Sequence, residues 1–172
     1  MHDQTTPVEA RIPLRDREGK TVAYALVDAA DYEWLSQWHW SLDRGGYAKR
    51  GESRAGKKRI VYLHRAVLGL EQGDGLEGDH VNGNRLDCRR SNLRVTTPRQ
   101  NRQNRSKLAG ASSRYRGVSW HKPRRKWVAY AKLNGRKHHL GLFADEHEAA
   151  AVAAAFRAEH MPFSEEARHP AP

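Results

Sequence analysis

A single cysteine, Cys88, is present in 172 residues. That excludes an internal disulfide and any cysteine-rich structural zinc site, both of which need several sulfurs. No apolar run approaches the roughly 20 residues that a membrane-spanning helix needs. The first residues, Met1-His2-Asp3-Gln4, lack the basic-then-apolar pattern of a secretion signal. The expectation is a soluble, cytoplasmic protein held by packed cores, to which five tryptophans contribute. Acidic side chains are also in short supply. Lys and Arg number 31 against 20 Asp and Glu, a formal net charge of +11. Such an excess favours a polyanionic partner. No internal repeat and no aromatic-rich RNA platform is apparent, which ranks duplex DNA above RNA as that partner.

The pattern of what is present predicts an α+β chain. Residues 1–10 and 161–172 read as flexible tails. Strand-like runs in 12–27 flank a turn-rich Arg15-Asp16-Arg17-Glu18-Gly19-Lys20, and Asp28 or Asp31 can cap a helix carrying Tyr32, Leu35 and Trp38. Gly45-Gly46 opens a hairpin with expected strands 47–50 and 59–64, joined by a basic Gly/Ser loop. From Gly78 the order is strand, loop, strand, helix: Asn82-Gly83-Asn84 is turn chemistry, Leu93 and Val95 alternate with Arg94 and Thr96, and Thr97-Pro98 starts a helix. Residues 106–113 read as a linker. Beyond it come three short strands, with Asn134-Gly135 as a hairpin signal, and an alanine-rich helix capped by Asp145 that faces the sheet with Ala149, Val152, Ala153 and Phe156.

The chemistry concentrates between Gly78 and Asn101. Asp79 and the amide oxygen of Asn101 are hard ligands suited to one divalent ion, Mg²⁺ or Mn²⁺. His80 adjoins Asp79 and points to the other side of an extended backbone, so it can act as a base without ligating the same ion. Arg85, Arg89, Arg90, Arg94, Arg99, Arg102, Arg105 and Lys107 form a basic stripe opposed only by Asp87, suited to a DNA backbone.

Residues 12–104 resemble HNH homing-type endonucleases with a ββα-metal fold, most strongly at Leu63-His64-Arg65, Gly78-Asp79-His80 and Ser91-Asn92-Leu93-Arg94-Val95. The resemblance implies that His80 is the general base and Asp79 a metal ligand. Asn92 would pin the loop between the two strands, Asn101 would be the second ligand where many relatives have His, and His64 would support or contact phosphate. Residues 114–160 resemble the ethylene-response-factor (Apetala-type) domain through Tyr115-Arg116-Gly117-Val118, Lys126-Trp127, Leu140-Gly141-Leu142-Phe143 and the alanine-rich helix. That implies a three-stranded antiparallel sheet on one helix, with Arg116, Trp120, Lys132 and Lys137 facing DNA. Ser119 and His139 depart from the usual Arg and Trp, so the relatives' target sequence does not transfer.

The expected organisation is an HNH domain at 11–105 and a DNA-binding domain at 114–160. Together they describe a metal-dependent DNA endonuclease of phage or mobile-element homing type, a monomer or weak dimer that nicks duplex DNA in a bacterial or phage-infected cell, near the nucleoid. Arg94, Arg99 and Arg102 join the DNA-contacting set. The alternative is an inactive, transcription-factor-like regulator that binds DNA without cutting it.

Overall fold

The first two strands pair antiparallel in a computed structural model that describes residues 8–104 and 112–168. Strands β1 (Glu9–Arg15) and β2 (Thr21–Asp28) bury Ile12, Leu14, Ala25 and Val27 on one face and leave Tyr24 exposed on the other. This is the two-residue period of a half-buried hairpin. Helix α1 (Ala29–Ser36) lays Leu35 on that face, and Trp40 anchors the exit from the helix by donating from Nε1 to the Leu35 carbonyl at 2.8 Å. Asp28 is the N-cap residue, yet its carboxylate makes no cap bond and instead accepts from the Arg90 N–H at 2.9 Å.

A second sheet, in the order β3-β4-β5, comprises β3 (Ser41–Leu42), β4 (Ala48–Arg54) and β5 (Lys57–Tyr62). The hairpin is longer than the sequence suggests. The stretch expected as a basic loop continues the ladder to a tight turn at Ala55-Gly56, both with positive φ (49° and 75°), the geometry that suits a two-residue hairpin. The second strand ends sooner than expected. Leu63 and Val67, four residues apart and both buried, belong to helix α2 (Leu63–Val67), so His64 sits on a helix rather than a strand. Strands β6 (Glu77–His80) and β7 (Leu93–Thr96) pair antiparallel, with Asp79 opposite Arg94 and His80 opposite Leu93.

The chain divides into two units between Pro98 and Arg99, inside helix α3 (Pro98–Asn101). The second unit holds a sheet in the order β10-β9-β8, from β8 (Val118–His121), β9 (Lys126–Leu133) and β10 (Arg136–Phe143), with helix α4 (Glu146–His160) packed on it. Its small core is Val118, Ala129, Ala149 and Ala153, flanked by Tyr115, Trp127, Leu140 and Phe143. Asp145 caps α4 by accepting from the N–H groups of His147 and Glu148 at 2.8 and 2.9 Å.

Part of the expected linker, residues 105–111 with Arg105 and Lys107, lies outside the described residues. Its end is packed: Ser113 is buried and donates to Glu146 at 2.7 Å. The expected tails are also partly structured. Glu9 and Ala10 belong to β1. Met161 is buried, and helix α5 (Glu165–Arg168) places Glu166 on the buried Arg157, Nε to Oε1 at 2.5 Å. A buried guanidinium needs a carboxylate partner, and the charge pattern of an apparently loose tail supplies it. No helix among the described residues is long and apolar enough to cross a membrane.

Candidate active site

The loop between β6 and β7 is closed by one amide. Asn92 donates from Nδ2 to the Asp87 carbonyl at 2.7 Å and accepts at Oδ1 from the Asn82 N–H at 3.0 Å, while its own carbonyl accepts from Val81. Asn82 in turn donates to Asp87, whose carboxylate is also gripped by Nε and Nη2 of Arg89, both at 2.7 Å. That grip holds the Asp87 carboxyl below the ordinary range. The loop is further stitched to β2. Leu26 donates to the Leu86 carbonyl and accepts from Cys88 N–H, each at 2.8 Å, and Arg90 binds both oxygens of Asp31 on α1 at 2.8 Å.

This frame fixes β6 and the pair at its end. Asp79 and His80 are both buried, at 5% and 4% exposure. The His80 ring meets the His64 ring edge-on with centroids 4.8 Å apart, and Tyr47 and Tyr62 close around His64 at 5.4 and 5.8 Å. Burial pushes His80 down to about 4, overriding the opposite pull of Asp79 and Asp87. His64 is pushed down to about 3 by burial, helped by His80 and Arg65. Both imidazoles are therefore neutral near pH 7, the form that accepts a proton. Cys88 Sγ lies 3.7 Å from His80 Nε2, and burial pushes that thiol up to about 12.

Asp79 accepts from Arg94 at Oδ2 twice, from Nε at 2.8 Å and from Nη2 at 2.6 Å. A buried carboxylate that already recruits a cation, beside imidazoles kept uncharged, is a donor suited to a hard divalent ion. Among the described residues no three His, Cys, Asp or Glu side chains converge as a ready cage.

Of the residues singled out by the sequence, His64, Asp79, His80, Asn92 and Arg94 gather around β6 and β7. Asn101 lies on α3 in the second unit. Arg99 donates to the Asn134 side chain at 3.0 Å, and Arg102 is exposed in the turn after α3. Lys132 and Lys137 are exposed cross-strand partners, and Lys137 stands 4.1 Å above the Tyr130 ring. Trp120, 38% exposed, packs edge-on against Trp127. Arg116 lies elsewhere, half-buried and 3.8 Å from Glu166. The basic stripe is less free than its composition suggests: Arg85 donates to the Gly45 carbonyl, and Arg89, Arg90 and Arg94 each hold a carboxylate. Tyr47, Tyr62, Gly78 and Cys88 were given no role at the site by the sequence. Gly78 carried the one legible signal, since glycine inside a strand often marks a close approach.

Residues 61–103 match the family model for HNH endonucleases. This segment is an HNH endonuclease domain. The chain is 33% identical over 62 residues to Protein 3.8 of Escherichia phage T7, covering 36% of this chain and 51% of that protein. It is 26% identical over 130 residues to an uncharacterized HNH endonuclease of Acanthamoeba polyphaga mimivirus, covering 75% of this chain and 66% of that one. The chain therefore spans between half and two thirds of the length of these viral relatives. No solved structure matches. The HNH match begins at Val61 and takes in α2, the pinned loop and both strands that carry Asp79, His80, Asn92 and Arg94.

Proposed function

We propose that the protein is a metal-dependent endonuclease of duplex DNA, of phage or mobile-element homing type. The observation that carries the reading is His80: a neutral, buried imidazole next to Asp79, at the end of a strand whose loop is locked by Asn92. His80 takes a proton from the attacking water. Asp79 and Asn101 would hold one Mg²⁺ or Mn²⁺, completing a ββα-metal arrangement, and the bound ion would stabilise charge on the phosphorane and the leaving oxygen. Asn92 acts through the loop, keeping His80 and Asp79 in one register. His64 supports the His80 ring and keeps water from its buried edge.

The second unit is proposed as the DNA-holding module, on the ethylene-response-factor plan. Lys132 and Lys137, paired across the open face of the sheet, would meet phosphates, with Trp120, Arg99 and Arg102 adding contacts. Arg116, turned toward Glu166, would contact DNA only at the edge of such a face. One such site among the described residues favours nicking by a monomer or weak dimer, and action on DNA fits a cytoplasmic place of work.

The test is incubation of wild type and His80→Ala with supercoiled plasmid in Mg²⁺, Mn²⁺ or EDTA. The expected result is nicking that needs the ion and is lost in the variant. Retardation of DNA without cutting by either protein would instead favour an inactive DNA-binding regulator.

A further inference from the structure

We infer that Arg94 is a placeholder cation. It neutralises Asp79 while no metal is bound and is released to the DNA backbone when a divalent ion takes the carboxylate. The inference rests on the reading of Asp79 as a metal ligand and adds a device that couples ion binding to DNA binding.

The argument starts from register. Asp79 and Arg94 are directly opposite on β6 and β7, so the guanidinium reaches the carboxylate without leaving the sheet. Both Nε and Nη2 converge on Oδ2, at 2.8 and 2.6 Å. Charge-assisted bonds of this length are among the stronger polar contacts in a protein, and a carboxylate that is only 5% exposed would be costly to leave unpaired.

The neighbouring arginines have other work. Arg89 clamps Asp87, Arg90 ties the loop to Asp31 on α1, and Arg85 donates to the Gly45 carbonyl while stacking on Tyr47. Their partners are loop and frame, so moving any of them would undo the loop. Arg94 alone among these four touches the carboxylate beside His80, and its side chain keeps 21% exposure. The bonds with which Asn92 and Asn82 pin the loop do not use its side chain. An incoming divalent ion and the guanidinium compete for the same oxygen, and the freed guanidinium is then positioned for a phosphate at that carboxylate.

The test uses the full-length protein. Mn²⁺ affinity is measured without DNA by electron paramagnetic resonance or calorimetry for wild type, Arg94→Gln, Arg94→Lys and Asp79→Asn. Removing a competing charge-assisted pair should tighten Mn²⁺ binding about tenfold in Arg94→Gln, with Arg94→Lys in between, while affinity for duplex DNA falls in the presence of the divalent ion and changes little in EDTA, where Arg94 is held on Asp79. Unchanged or weaker Mn²⁺ binding in both Arg94 variants, with their melting temperatures retained, would overturn the placeholder role. If Asp79→Asn leaves Mn²⁺ binding untouched, the metal reading itself fails, and that outcome is distinct. Should Arg94→Gln not fold, the Nε–H resonance of Arg94 in the wild type carries the test. It should be protected from exchange in EDTA and lose that protection with saturating Mg²⁺. A signal that survives saturation unchanged refutes the release.

Discussion

Gly78 lies against the ring of His64: a Cβ on Gly78 would stand 2.7 Å from His64 Cδ2 and 3.1 Å from Leu68 Cδ1. The ring packs on bare backbone one residue before the Asp79-His80 pair, and no other residue type leaves it room.

Gly78→Ala is therefore expected to push His64 off β6 and disturb the His64–His80 contact. Overpacking of this kind costs about 1–3 kcal/mol. Thermal melting should show the loss of stability, and plasmid nicking should fall further than stability alone explains. An alanine variant with wild-type melting and cutting would mean that the rings shift freely.

Asn92→Ala removes a donor to the Asp87 carbonyl and an acceptor for the Asn82 N–H at a site 7% exposed. Leaving those groups unsatisfied should cost about 1–3 kcal/mol. Asn92→Asp keeps the acceptor and loses the donor, so its denaturant midpoint should fall between those of alanine and wild type. Equal midpoints for all three proteins would remove the amide from the frame of the loop.

Burial holds His64 and His80 below their ordinary value of 6.5, to about 3 and about 4. A depressed imidazole value means that the unfolded chain takes up these protons first. Their contribution is fully present above pH 6.5 and is lost as pH falls toward the folded values. Melting temperature should be level above about pH 7 and drop steadily between about pH 6.5 and 4, and His64→Asn should flatten part of that slope. A wild-type profile level down to about pH 4.5 would contradict neutral burial of these rings.

Cys88 is 1% exposed and its thiol is pushed up to about 12 by burial and Asp87. Native protein at pH 8 should resist disulfide-exchange reagents and react at one thiol per chain once unfolded in denaturant, since the thiolate is the reactive form. Rapid labelling of folded protein would show that the loop around Cys88 opens.

Local signals were the legible part. Asn134-Gly135 gave its hairpin, with both residues at positive φ (54° and 82°), and Asp145 gave its helix start. These depend on neighbours within a few residues. The strand-loop-strand around Asp79 and His80 was legible for the same reason. Elsewhere a distant partner decided the outcome. Asp28 spends its carboxylate on Arg90, 62 positions along, instead of capping α1. His64 was expected at the end of the second hairpin strand, 59–64, yet Leu63 and Val67 bury together as a helical turn. Glu166 looked like part of a polar tail until the buried Arg157 claimed it. The closure of Tyr47 and Tyr62 around His64 needs the β4-β5 pairing and α2 at once, which no short window of sequence contains.

The loop behind the Asp79-His80 pair borrows an edge from a strand sixty residues earlier: Leu26 donates to Leu86 and accepts from Cys88, and Arg90 reaches back to Asp28 and Asp31. Portability follows from this. The matched HNH segment starts at Val61, but transplanting it alone into another scaffold would leave the backbone of Leu86 and Cys88 and the guanidinium of Arg90 without partners. A minimal transferable cutting unit must carry the first hairpin and α1 with it, or the host must offer a strand edge and two carboxylates in their place.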